Sequence, residues 1–152
     1  NAEASTTLTP EIFKTYSESD TENAAFKMAS TIPVGSVIAL HGNLGAGKTV
    51  FARGFARGLG ISQSVSSPTF TLVQEYPLEN GKWLYHLDMY RIDDYRSALA
   101  FGVDEYFDDK NAVVLVEWAE RVAEILPDNL FIVNIKRLDG DTREITVEFP
   151  EA

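Results

Sequence analysis

The feature that most restricts this chain is the octapeptide Gly42-Asn43-Leu44-Gly45-Ala46-Gly47-Lys48-Thr49, which meets G-x-x-x-x-G-K-[ST] at every fixed position and adds a third glycine. Glycines let the backbone take positive φ and approach a phosphate closely, so that consecutive N–H groups form an anion nest at the positive end of a helix. Lys48 adds a mobile cation for the β- and γ-phosphates, and the Thr49 hydroxyl is a ligand type for Mg²⁺. The segment from Gly42 through Val50 is therefore read as a phosphate-binding loop, a P-loop, for a nucleoside triphosphate. Mg-ATP is the expected cofactor, weakly favoured over GTP because no guanine-reading N-K-x-D motif is present.

Such a loop requires a buried strand before it and a helix after it, and both are legible. Residues 36–41 include Val37, Ile38, Ala39 and Leu40, apolar on both faces as in a central parallel strand. After Lys48, Phe51, Phe55 and Leu59 recur at i, i+4 and i+8 with Arg53 and Arg57 between them, which predicts an amphipathic helix stopping at Gly58 or Gly60. Residues 12–16 read as a strand, followed by a helix through Ser30 capped by Ser19, Asp20 or Thr21. Residues 69–76 and 82–90 suggest an antiparallel hairpin about the turn signal at 77–81. Helices are expected over 94–101 and 103–107. A second buried strand spans 112–116, followed by a helix that Pro127 ends. Residues 130–135 and 143–149 surround Asp139 and Gly140 as a terminal hairpin. The sum is a three-layer α/β, P-loop NTPase-like domain with a mixed, mainly parallel sheet and β-hairpins.

Composition narrows the function classes. A chain of 152 residues, 45% apolar, has room for one sizeable core, so residues 11–152 are expected to form a single domain. Residues 1–10, small and polar with no initiator Met, are expected to be frayed or vector-derived. The longest apolar run, 112–116, falls far short of the roughly 20 residues a membrane span needs. No cysteine means no disulfide framework, zinc ribbon or thiol nucleophile, and a reducing cytoplasm is the expected compartment. A formal charge of −10 repels a phosphate backbone at long range, so contact with nucleic acid is expected only through a partner.

A triphosphate-bound magnesium usually draws a second protein carboxylate from a neighbouring strand end. Glu117, after Val113-Val114-Leu115-Val116, has the Walker B position with glutamate in place of the commoner aspartate; the alternative is a surface acid at a strand end. Asp88 closes Trp83-Leu84-Tyr85-His86-Leu87-Asp88, where alternation puts it on the side of His86. It either holds a metal-bound water or orients the attacking one, against the alternative of a turn or cap aspartate. Thr69, in Ser66-Ser67-Pro68-Thr69, is the candidate γ-phosphate sensor of a switch loop, although Pro68 also suits a plain turn. Arg91, Arg137 and Arg143 are open between phosphate or base contacts and solvated charge. Tyr90 and Trp118 read as core or interface, and His41 as a strand end.

Leu44-Gly45-Ala46-Gly47-Lys48-Thr49, Ser67-Pro68-Thr69-Phe70, His86-Leu87-Asp88-Met89-Tyr90-Arg91 and Glu117-Trp118, in this order and spacing, resemble the bacterial tRNA threonylcarbamoyladenosine-biosynthesis ATPase family TsaE, also called the YjeE family. The match spans about residues 12–149, and Asn43 departs from it where the family commonly has aspartate. The resemblance implies a small ATPase that acts with two partners, TsaB and TsaD, in forming N6-threonylcarbamoyladenosine (t6A37) in tRNA. ATP would bind at the interface with those partners, and hydrolysis would reset the complex while the transfer chemistry belongs to TsaD. By position it makes Thr49 and Glu117 magnesium ligands, Lys48 the phosphate cation, Thr69 the switch residue and Asp88 a catalytic carboxylate, with Trp118 beside the nucleotide or the partner surface. Because the family builds its adenine pocket partly from the chain's ends, it also suggests Thr15, Ser17 and Arg137 as nucleotide contacts.

Two other readings stand beside this one. A small-molecule kinase shares the P-loop and the length, but it usually needs an arginine-rich lid, whereas residues 93–110 carry Asp104, Glu105, Asp108 and Asp109. A nucleotide-gated binding module, in which bound ATP alone sets partner affinity, would need no hydrolysis.

Overall fold

Strand β2 (Val37–Gly42) shows why a strand apolar on both sides must be central: Ile38 and Leu40 enter one core, Val37 and Ala39 the other. Strand β5 (Ala112–Glu117) divides the same way, Val113 and Leu115 against Val114 and Val116. The computed structural model describes residues 10–43, 45–63, 65 and 71–150. Residues 1–9, Leu44 and Thr69 with the rest of 66–70 lie outside that description. The other strands are β1 (Glu11–Thr15), β3 (Val73–Pro77), β4 (Trp83–Asp88), β6 (Leu130–Asp139) and β7 (Thr142–Glu148), in a seven-stranded sheet of order β1-β7-β6-β2-β5-β4-β3. The pairings β6–β2, β2–β5 and β5–β4 are parallel and occupy the middle, while the antiparallel pairings β1–β7, β7–β6 and β3–β4 form the flanks. The sheet is mixed as expected, with its parallel part confined to the four central strands.

Helices α1 (Glu18–Ala29) and α2 (Lys48–Gly58) cover one face. Helices α3 (Tyr95–Ala100) and α4 (Val103–Phe107), with the 3₁₀ segment Ala119–Ile125, cover the other. Two local expectations need correction. Helix α1 is capped by Ser17, whose hydroxyl accepts from Asp20 N at 3.0 Å while Asp20 accepts from Tyr16 N at 2.9 Å. All three proposed cap positions therefore lie inside the helix, and the run of cap-type side chains gave no local means of choosing. The helix expected before Pro127 is a 3₁₀ segment broken at Val122 (φ −128°, ψ 27°).

Helices α1 and α2 approach closely because Gly54 and Gly58, one turn apart, face α1. A Cβ at Gly54 would run into the Glu22 carbonyl, and one at Gly58 would stand 2.7 Å from Ala29 Cβ. The contact is then tied by Arg57, which donates to Glu22 at 2.6 Å and lies 4.9 Å over the Phe26 ring. On the opposite face Tyr85 donates to Asp109 at 2.7 Å and Tyr106 to Glu75 at 2.6 Å, their rings edge-on at 4.8 Å. The Glu75 hydrogen bond, then burial, pushes the Tyr106 phenol up to about 12. Burial first, then Asp109, pushes Tyr85 up as well.

Gly54→Ala is expected to destabilise the fold by about 1–3 kcal/mol through overpacking against the α1 backbone, read by urea unfolding. The raised phenol has a fixed sign of linkage: the fold favours the protonated hydroxyl, so its contribution is whole below the ordinary value of 10.0 and is lost as pH climbs towards about 12. Tyr106→Phe should accordingly flatten the loss of stability in that alkaline window, followed by denaturant unfolding at stepped pH.

Candidate functional site

The loop after β2 does what its glycines permit. Gly45 (φ +81°) and Gly47 (φ +104°) lie in the left-handed region, and Gly47 is the N-cap residue of α2. Ala46 N closes a turn on Asn43 O at 2.9 Å, and Phe51 N begins the helix ladder on Gly47 O at 2.9 Å. Gly42 tolerates no side chain, since a Cβ there would meet Ile135 O at 2.9 Å and Ala46 Cβ at 3.2 Å. The amides that α2 leaves without intrahelical partners therefore open onto a cleft of about 1290 Å³ beyond the carboxyl ends of the central strands.

Strand parity then decides which side chains share that cleft. Glu117 continues the row Val113, Leu115 on the face that α2 covers, and Asp88 continues Leu84, His86 on the same face. Asp88 and Glu117 are direct register partners on β4 and β5, so both side chains leave the sheet on the same face. Both line the cleft and both are buried, at 4% exposure each. His86 Nε2 meets Glu117 Oε2 at 2.7 Å, while His86 Nδ1 is a buried nitrogen without a hydrogen-bond partner among the described residues. An ionised carboxylate can only accept, so Nε2 is the donor in that contact. Asp88 Oδ1 accepts from Tyr90 N at 2.9 Å, which holds the turn out of β4.

Lys48 reaches over the Trp118 ring, with its ammonium 5.1 Å from the centroid. Trp118 has φ +58°, and its ring meets that of Tyr90 at a tilt of 55°, with centroids 4.9 Å apart. Arg121 lies over both rings, 5.6 Å from the Tyr90 centroid and 5.4 Å from that of Trp118. Tyr90 and Trp118 are thus the aromatic lip of the cleft.

The remaining sequence candidates separate. Gly42, Asn43, Gly45, Gly47, Lys48, Thr49 and Val50 line the cleft, and Ala46 is buried behind them. Leu44 and Thr69 fall outside the described residues. Thr15, Ser17 and Arg137 do not line the cleft: Thr15 shares a 2.6 Å hydrogen bond with Thr21, Ser17 caps α1, and Arg137 is an exposed residue of β6. The lining near the chain's ends comes instead from Glu18, Thr21, Asn134, Lys136, Asp141 and Arg143. Sequence reasoning named only Arg143 among these, as a phosphate or base contact or a solvated charge, and missed the others because their spacing matches no motif. The contacts of Arg143 had no local signal at all: Nε donates to Ala46 O at 2.7 Å across the gap between β7 and the loop. His41 faces Glu120 at 3.5 Å rather than the loop amides.

Comparison with known proteins agrees with this geometry. Residues 15–145 match the family model described as threonylcarbamoyl adenosine biosynthesis protein TsaE. A Bacillus subtilis protein named tRNA threonylcarbamoyladenosine biosynthesis protein TsaE is 45% identical over 134 residues, covering 88% of this chain and 82% of its own. Proteins of the same name from Haemophilus influenzae and Treponema pallidum are 42% and 39% identical, covering 72% and 86% of this chain and 67% and 95% of theirs. The solved crystal structure of Bacillus subtilis YdiB superposes with a TM-score of 0.77 at 39% identity, over 93% of this chain and 86% of that one.

The His86–Glu117 contact is expected to be cooperative. His86→Ala should destabilise the fold by about 1–3 kcal/mol by stripping a buried carboxylate of its donor. Adding Glu117→Gln should recover part of that loss, a coupling read from a double-mutant cycle of urea unfolding.

Proposed function

Because this chain belongs to the TsaE family of threonylcarbamoyl adenosine biosynthesis proteins, we propose that it serves t6A formation in tRNA as a cytoplasmic, Mg-ATP-binding ATPase subunit. It acts with TsaB and TsaD, coupling ATP binding and hydrolysis to the cycle of their complex. The observation that carries this reading is the glycine cradle at the start of α2 opening onto the same cleft as Asp88 and Glu117, register partners on neighbouring strands. Among the described residues no helix is long and apolar enough to cross a membrane.

Each residue has a task in that reading. The loop amides and Lys48 bind the phosphates, Lys48 exchanging the Trp118 ring for an anion. Thr49 and Glu117 would hold magnesium, whose chemistry is to neutralise charge on the phosphate oxygens. The hydroxyl and carboxylate are oxygen donors of the type that ion takes. His86 fixes the direction of the Glu117 carboxylate by holding one of its oxygens. Asp88 orients the attacking water in line with the γ-phosphate and takes its proton, and Thr69 senses that phosphate. Contact with tRNA is indirect, since a net charge of −10 suits a subunit that leaves the RNA to its partners.

Purified chain, TsaB, TsaD, ATP and tRNA together test this. Lys48→Ala should abolish Mg-ATP binding, seen as loss of the Trp118 emission response, and with it tRNA modification. Asp88→Ala should still bind Mg-ATP while turnover falls about 100-fold or more, and modification should stop after the first round. Sustained rounds with Asp88→Ala would instead make the chain a nucleotide-gated module, and full hydrolysis by the chain alone, unaltered by partners, would refute a partner-dependent ATPase.

A further inference from the structure

We propose that Arg143 is a positioning residue for triphosphate recognition, acting from the terminal hairpin through the backbone of the phosphate loop. The proposal rests on the nucleotide reading above and names a part of the site that no sequence motif carries.

Arg143 continues the row Ile145, Val147 of β7, on the face of the sheet that α2 covers. Its guanidinium is committed to main-chain oxygens of two segments. Nε donates to Ala46 O at 2.7 Å and Nη2 to Gly45 O at 3.4 Å, both in the loop. Nη1 donates to Gly140 O at 2.8 Å, in the β6–β7 turn, and to Thr142 O at 3.2 Å, at the start of β7. With four of its five donors on carbonyls, the side chain is a brace rather than a phosphate ligand.

Two physical consequences follow for the loop. Ala46 C=O and Gly47 N–H belong to one peptide unit, so a cation-donated hydrogen bond at the oxygen polarises the unit and strengthens the N–H as a donor. Gly45 C=O and Ala46 N–H are likewise one unit, and that N–H closes the turn on Asn43 O. The brace also fixes the peptide plane after Gly45 and the one before Gly47, the residues whose backbone freedom is otherwise greatest. A nest held in shape before the anion arrives binds it without the entropy loss of ordering. Lysine cannot replace this, because a single ammonium lacks the planar fork that spans two segments.

The test uses the full chain, with Mg-ATP and inorganic pyrophosphate as probes, titrated by calorimetry against wild type, Arg143→Gln and Arg143→Lys. Amide resonances of Gly45, Ala46 and Gly47 are followed in the same samples before ligand is added. Both variants should bind Mg-ATP and pyrophosphate about tenfold or more weakly, with the loop amides shifted and exchanging faster, and the lysine variant should rescue little. Wild-type affinity in both variants would overturn the brace. So would full rescue by lysine, which would make charge alone the cause, or failure of both variants to fold, which would make Arg143 a stability residue. If wild type itself binds neither probe, the nucleotide reading fails and the brace with it, a result distinct from the others.

Discussion

Everything in this structure depends on holding the first amides of α2 open and still. A helix start leaves N–H groups without partners, and a chain can use them for an anion only if no side chain fills the space before them. Gly42, Gly45 and Gly47 clear that space, but they also remove the side chains that would stiffen the loop. Rigidity therefore comes from the surroundings. The Gly42 backbone lies against Ile135 O, α2 seats its glycine edge on α1, and the β6–β7 turn reaches back through Arg143. The loop borrows its shape from three distant parts of the chain.

The sheet supplies the opposite wall by parity. Once β2, β4 and β5 run parallel and in register, alternation carries His86, Asp88 and Glu117 to the α2 face and to the end where the loop stands. Burial makes this wall exacting. Glu117 is nearly inaccessible and keeps its direction through His86, so the carboxylate is aimed rather than merely present. Lys48 meanwhile rests on Trp118, where the ring face offers a weak substitute for the anion.

The buried strands and the glycine loop were legible because each has a short-range signature: apolar runs for strands covered on both faces, and backbone freedom demanded at fixed spacing. Asp88 and Glu117 were legible as strand-end acids, and their adjacency follows from a register that no local pattern states. The cap of α1 and the 3₁₀ segment after Trp118 were not legible, since several cap-type residues compete at the first and a left-handed Trp118 with a kink at Val122 sets the second.

What the sequence by itself determined, then, is the nucleotide loop, the fold class built around it and the family resemblance carried by its four motifs. Only the tertiary structure decided which side chains from outside the motifs line the cleft: Glu18, Thr21 and Lys136 on its wall, and Arg143 behind the loop. The physical reason is separation along the chain. Residues such as Ala46 and Arg143 become neighbours only when β7 joins the sheet beside β6, and strand order is fixed by the burial of whole faces, which no spacing between single residues records.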